Sequence, residues 1–255
     1  MGVLVKNFGN GIKKIKLNDP KTYNSLSFKT LNSLLNTFKK LDKDSNTKVI
    51  ILEGAGKGFS AGHNLKEVRS LKKRSKYLKL FNLCSKVMLQ IVEGRKPVIA
   101  KVHGAAFAAG CQLVASCDLA IASDSSSFAT PGVNLGLFCS TPMVALSRNV
   151  KKKDAMKMLL TGDMIDSSEA KRISLINDHV PSENLSKEVM QLANKIASKS
   201  MQTVKIGKSA FYKQAELSLS EAYKYTSEIM AENTMNADAK EGISSFLEKR
   251  DPKWK

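Results

Sequence analysis

Two short stretches of small residues hold the groups best placed to do chemistry. They are Phe59-Ser60-Ala61-Gly62-His63-Asn64-Leu65 and, about forty residues on, Gly104-Ala105-Ala106-Phe107-Ala108-Ala109-Gly110-Cys111-Gln112. Each follows a strand-like run, Val49-Ile50-Ile51-Leu52 or Val98-Ile99-Ala100-Lys101-Val102. Gly, Ala and Ser let a ligand approach the backbone closely and leave N–H groups free to point at it. Two such N–H groups aimed at one point form an oxyanion hole, which stabilises charge building on a carbonyl oxygen. Ala109 opens a stretch to Ser116 with helix-compatible spacing. The first N–H groups of a helix lack internal partners and sit at the positive end of its dipole, which suits them to an enolate oxygen.

The elements that must position these turns read as alternating strands and helices. Val3–Val5, Ile12–Leu17 and Val49–Leu52 are strand-like, and they surround a helix predicted from Ser27, its N-cap, to Lys43, with Leu31, Leu34, Leu35, Phe38 and Leu41 at helical spacing. A longer helix is predicted from Lys72 to Glu93, with Leu78, Phe81, Leu83, Cys84, Val87, Met88 and Ile91 on its apolar face. Strands follow at Val98–Val102 and Asp118–Ala122. From Lys153 onward the periodicity is helical: 153–160, 167–172, 183–199, 201–214, 218–234 and 238–250. Such alternation argues for right-handed crossover units in an α/β fold.

Composition sets the frame. The 255 residues, 42% hydrophobic and 25% charged, suit one globular domain with a sizeable core. No apolar run approaches the roughly 18 residues of a membrane span. The N-terminal residues carry no targeting pattern, so the expected compartment is the cytoplasm, or an organelle matrix if a presequence has been removed. Cys84, Cys111, Cys117 and Cys139 lack metal-ligand spacing and read as buried reduced thiols; His63, His103 and His179 are scattered singly, and no metal site is expected. The net charge of +18 stands out, carried by clusters such as Lys72-Lys73-Arg74-Lys76-Lys79 and Lys151-Lys152-Lys153. A basic surface steers phosphate-bearing ligands, and RNA is one candidate polyanion. The clusters have no aromatics at stacking spacing, so solvated surface is the plainer account.

The two small-residue segments, together with Leu17-Asn18-Asp19-Pro20-Lys21-Thr22-Tyr23-Asn24-Ser25-Leu26, Phe128-Ala129-Thr130-Pro131-Gly132-Val133-Asn134-Leu135-Gly136 and Leu160-Thr161-Gly162, resemble the crotonase (enoyl-CoA hydratase/isomerase) superfamily over nearly the whole chain. The resemblance implies a crotonase/ClpP-like spiral of ββα units at 1–195 and a C-terminal helical trimerisation region at 196–255, with trimers that pair into hexamers. It implies an acyl-CoA substrate in fatty acid or acyl-CoA metabolism, coenzyme A entering as part of that substrate and no prosthetic group. The thioester oxygen would lie between the N–H groups of His63 and Ala109. Lys21 would lie near the CoA phosphates, backbone at Tyr23 would help to grip the nucleotide, backbone around Ala61, Asn64 and Leu65 would line the adenine pocket, and Phe246 and Lys249 would close over CoA from a neighbouring subunit.

The chain departs from the resemblance at its acids. Hydratases of this kind carry glutamates at the positions of Gln112 and Gly132, and related isomerases an aspartate at that of Ser140. Gln112 can orient a water but cannot take its proton near pH 7, and Gly132 is expected to hold a backbone angle unsuited to a larger residue. Cys139 and Ser140 complete the expected pocket. Four readings remain open on this sequence: a hydratase or isomerase, a malonyl-type decarboxylase that needs no base, a weakly catalytic acyl-CoA-binding protein, and an RNA-binding protein on the same scaffold.

Overall fold

A computed structural model describes residues 2–254. In chain order the elements are β1 (Gly2–Asn7), β2 (Ile12–Asn18), α1 (Phe28–Lys43), β3 (Val49–Gly54), α2 (Leu65–Ser70), α3 (Arg74–Val92), β4 (Val98–Val102), β5 (Ala105–Phe107) and α4 (Ala109–Ser116). There follow β6 (Leu119–Ser123), β7 (Ser127–Ala129), α5 (Pro142–Asn149), α6 (Lys152–Thr161), β8 (Ile165–Asp166), α7 (Ser167–Arg172) and β9 (Asp178–Val180). Helices α8 (Leu185–Ala197), α9 (Met201–Gln214), α10 (Leu219–Met235) and α11 (Ala237–Leu247) end the chain.

The strands form two sheets. The larger has the order β1-β2-β3-β4-β6-β9 and is parallel apart from the β1–β2 pair; the smaller is β5-β7-β8. The chain passes repeatedly from the large sheet to a short extended piece and then to a helix: β4, β5, α4 in one turn, β6, β7, α5 in the next. Single-residue bridges, Leu26 with His63 and Ser60 with Ala106, stand in for the second strand in the turns that begin at β2 and β3. This is the ββα spiral. The repeat is faint in the sequence because its second strand is one to three residues long.

The parity of the pleat sorts the strand residues between two cores. Ile50 and Leu52 face the main core, with Leu31, Leu34 and Phe38 of α1 and Cys84, Val87 and Ile91 of α3. Val49 and Ile51 face Leu185, Val189 and Ala193 of α8. Strands covered on both faces read as unbroken apolar runs, as parallel strands do. Helix α1 keeps its expected bounds, and the Ser27 hydroxyl accepts from the Thr30 N–H at 3.2 Å. The predicted apolar face of α3 needs one correction. Leu78 is exposed and Leu80 takes the core position, one turn before Cys84 on the stripe that continues through Val87, Met88 and Ile91; the helix itself begins at Arg74, after a separate helix, α2.

At the carboxyl end of the large sheet the register sets Glu53 between Lys16 and Lys101. Its carboxylate lies 3.1 Å from each of those ammonium groups and 3.3 Å from that of Lys14. Burial alone would raise this carboxyl's pKa, but the charge and hydrogen bond of Lys101, with help from Lys14 and Lys16, hold it below the usual range. A carboxyl whose pKa is depressed in the fold stabilises above its unfolded value and loses that stabilisation as pH falls through the folded one. Glu53→Gln is thus expected to lower the urea midpoint at pH 7, and the gap from wild type should narrow below about pH 4.5. A gap that stays constant with pH would refute this electrostatic account.

Helix α9 is fastened to the core by a part-buried ion pair. The Lys208 ammonium donates to the carbonyls of Ile91 and Lys96 at 2.8 and 2.9 Å and to Asp118 at 2.7 Å, and the Tyr212 hydroxyl donates to the same carboxylate at 3.0 Å. Helices α10 and α11 differ in kind. Their apolar period is real, but Leu219, Tyr223, Met230, Met235, Phe246 and Leu247 are exposed in the single chain.

Candidate active site

The site grows out of the crossings between the two sheets. The Ala61 N–H donates to Tyr23 at 2.9 Å and the Leu26 N–H to Gly62 at 2.8 Å, which ties the loop after β2 to the turn after β3. Tyr23 and Asn24 both have positive φ, a conformation that Asn tolerates better than most residues. The fully buried Asn24 amide donates to the Ala55 and Gly58 carbonyls at 2.8 Å each, and its oxygen accepts from the Asp19 N–H at 3.0 Å. Glu67 accepts from the Phe28 N–H at 3.0 Å and so joins the starts of α1 and α2. These side-chain ties escaped the sequence reading. An Asn beside a turn was the only hint.

Gly62 lies against the second segment. A Cβ placed on it would stand 2.9 Å from the Phe107 carbonyl oxygen and 3.0 Å from the Ala109 nitrogen. Helix α4 comes just as close to Ser60, whose carbonyl oxygen would lie 2.1 Å from a Cβ on Gly110. Between them Ala108 sits at φ 49°, ψ −117°, a conformation L-residues rarely adopt. It is held there because its N–H donates to Ala129 at 2.9 Å and its carbonyl accepts from Gln112 at 3.0 Å. Ala108 offers no side-chain cap to α4. The N–H groups of His63 and Ala109 have no acceptor among the described residues. The structure thus brings both expected oxyanion donors into adjoining turns.

Three side-chain atoms stand out nearby. His63 Nε2, Gln112 Oε1 and Thr130 Oγ1 are buried and have no hydrogen-bond partner among the described residues. The His63 ring lies edge-on to Phe81, with centroids 5.4 Å apart, and its Nδ1 is 3.2 Å from the Leu26 carbonyl. A carbonyl only accepts, so Nδ1 carries the proton and Nε2 offers its lone pair. Burial lowers the imidazole pKa, partly offset by the bond to Leu26, and favours this neutral form. Thr130 had not been singled out by the sequence. It follows Ala129, which pairs with Phe107 across the small sheet, and so lies beside the start of α4.

Gly132 corrects an expectation. Its φ is not positive; what bars a side chain is the Leu137 carbonyl oxygen, 2.4 Å from an added Cβ, and Cys139 Sγ at 2.8 Å. Cys139 is buried, which raises its thiol pKa, while Ser140 is exposed, with its N–H donating to Phe138 at 2.7 Å. Burial pushes Cys111, the neighbour of Gln112, up to about 12. Neither thiol is poised as a nucleophile.

The expected CoA contacts divide into two groups. Lys21 lies exposed on a 3-10 turn next to Tyr23, within the loop joined to Ala61. The Asn64 side chain accepts from the Glu67 N–H at 3.1 Å and caps α2, and Leu65 is exposed. Phe246 belongs to α11, which packs on α9 and α10, and Lys249 follows that helix. Phe246 is no core residue: it is exposed beside Val204, Ile243, Leu247 and Trp254 in a groove of about 600 Å³.

The chain is similar to known proteins over nearly its whole length. A sequence model described as Enoyl-CoA hydratase/isomerase matches residues 7–255. The human "Enoyl-CoA hydratase domain-containing protein 3, mitochondrial" is 51% identical over 245 residues, covering 96% of this chain and 80% of that protein. A crystal structure of human enoyl Coenzyme A hydratase domain-containing protein 3 superposes with a TM-score of 0.96 at 48% identity, covering 99% of both chains. One of an enoyl-CoA hydratase from Mycobacterium smegmatis gives 0.97 at 45%, covering 99% of this chain and 98% of that one. The chain belongs to the enoyl-CoA hydratase/isomerase family, and its fold is that of the crotonases.

Proposed function

We propose that this protein binds an acyl-CoA thioester and stabilises its enolate, with the thioester oxygen between the His63 and Ala109 N–H groups. The observation that carries this reading is the pair of unpartnered N–H groups in turns packed together through Gly62. Donors of this kind hold a developing oxyanion without reorganising, and each typically contributes about 3–4 kcal/mol to the transition state. We assign Lys21, exposed on the turn beside Tyr23, to a phosphate of CoA. Gln112 and Gly132 bring no ionisable group to the positions where the resemblance places glutamates, so the site is built for polarising a thioester more than for moving protons. The apolar positions left exposed on α10 and α11 suit burial between copies of the chain, and we assign them to self-association as a trimer. The human relative is named mitochondrial, and an organelle matrix is the compartment we favour.

Thermal unfolding tests the reading. A ligand at one hundred times its Kd stabilises the fold by about 2.7 kcal/mol. Millimolar CoA or butyryl-CoA is therefore expected to raise Tm by several degrees, and Lys21→Glu to reduce the shift. No shift with either ligand would overturn the proposal. RNA binding is separated by salt, since phosphate-driven affinity for RNA falls steeply as ionic strength rises.

A further inference from the structure

The basic segment that spans α2 and the start of α3 is left without partners by the fold. Between Gly54 and Val92 the sequence holds a single acid, Glu67, and its carboxylate accepts from the Phe28 N–H at 3.0 Å. Helix α2 exposes Lys66 and Arg69. The turn after it and the first two turns of α3 expose Lys72, Lys73, Arg74, Lys76 and Lys79. Arg95, Arg148, Arg172 and Arg250 each lie within 3.3 Å of a carboxylate. Arg69 and Arg74 have no such pair among the described residues, nor do the lysines around them.

Exposed leucines stand among these charges. Leu78 and Leu89 are 46% and 51% exposed, and they lie three turns apart on α3. They therefore share its outward side, opposite the buried Leu80, Cys84, Val87 and Ile91, with the exposed Lys79 and Lys86 beside them. Two ligands could answer the charge: nucleic acid or an anionic bilayer. A single strand stacks its bases on exposed aromatic rings, but here Tyr77 is half-buried and Phe81 lies edge-on to His63. A bilayer surface takes cations at its phosphates and leucines at the acyl boundary. The leucines decide for the bilayer.

We propose that the turn between α2 and α3, with the outward side of α3, is a peripheral docking surface for a membrane that carries anionic phospholipid. The cations meet the headgroup phosphates, and Leu78 and Leu89 enter the acyl boundary. This inference is independent of the acyl-CoA reading. The surface shares no residue with the exposed apolar positions of α10 and α11, so docking and self-association do not compete for side chains. Because Phe81 of the same helix packs on the His63 ring, docking sets the candidate site near the bilayer.

Co-sedimentation of the whole protein with vesicles tests this, using phosphatidylcholine alone or mixed with phosphatidylglycerol. At about 0.1 M salt, charges act over about 10 Å, and binding is expected to the mixed vesicles only. Each Lys or Arg near such a surface contributes about fivefold in affinity. Changing Lys72, Lys73 and Lys76 together to Gln should weaken binding by about 10²-fold. The same change at Lys151, Lys152 and Lys153, an equally exposed cluster, should cost less than about fivefold. Leu78→Gln with Leu89→Gln should weaken vesicle binding by about tenfold and leave the affinity for a single-stranded RNA unchanged. All these side chains are exposed, so Tm should not move; a lower Tm would assign them to the fold and overturn the proposal. Equal losses from the two lysine clusters would reduce the binding to net charge and refute the surface. So would a leucine double variant that binds vesicles like wild type. Tighter binding to RNA than to the mixed vesicles would make this a nucleic-acid surface instead.

Discussion

Hydration of crotonyl-CoA by this protein is expected to run several powers of ten slower than in a hydratase with two catalytic glutamates. Adding water across the double bond requires one group to take a proton from the water and another to deliver one to Cα, and each contributes about 10²–10⁴. Gln112 does neither near pH 7, Gly132 has no side chain, and Cys139 is a thiol whose pKa is raised by burial. The oxyanion turns would still polarise the thioester, which leaves activation without proton transfer. Gln112→Glu keeps the shape of the side chain and should raise the rate by about 10²-fold, with burial raising the new carboxyl's pKa and favouring it as an acid. Gly132→Glu should not help, because its Cβ would meet the Leu137 carbonyl oxygen at 2.4 Å and the backbone there must move first. Steady-state absorbance of the enoyl thioester measures all three proteins. Brisk wild-type turnover would show that another group, such as His63, Cys139, Ser140 or a bound water network, carries the proton.

Much of this site could be read from the residue order, and what could not follows a physical pattern. The close approach of the two small-residue turns was legible because it demands Gly and Ala, and Gly62 and Gly110 do face carbonyl oxygens at distances that no side chain would allow. Helix α1 was legible from its cap and its spacing. Hidden from the sequence were contacts between segments far apart in the chain: Asn24 with Gly58, Glu67 with Phe28, Lys208 with Asp118. Thr130 stayed hidden for the opposite reason. Its significance is a missing bond, and only a structure shows which buried hydroxyl lacks a partner. Periodicity placed the helices α10 and α11, but a repeat of apolar residues says that a helix buries a face without saying whether the cover is the same chain.

Gly62→Ala is expected to cost about 10²–10³ in enolate formation while the protein stays folded. At φ +86° the residue occupies a region that L-side chains rarely adopt, and the new methyl would press on the Phe107 carbonyl oxygen at 2.9 Å and the Ala109 nitrogen at 3.0 Å. Both neighbours belong to the opposing turn, so relief of the clash separates the two N–H groups proposed as oxyanion donors. Loss of one donor typically costs that factor in rate, and a displacement of about 1 Å is enough to lose one. The backbone strain, about 1–2 kcal/mol, is small beside a typical folding stability of 5–15 kcal/mol. Exchange of the Cα hydrogens of butyryl-CoA in D2O, followed by NMR, reports enolate formation directly and requires no knowledge of the physiological reaction. Asn24→Ala provides the contrast. It removes three hydrogen bonds that hold the adjoining loop, two of 2.8 Å and one of 3.0 Å, and should lower Tm more than Gly62→Ala does, with less effect on exchange per folded molecule. Should Gly62→Ala exchange at the wild-type rate, the thioester oxygen does not lie between these turns, whatever else the chain binds.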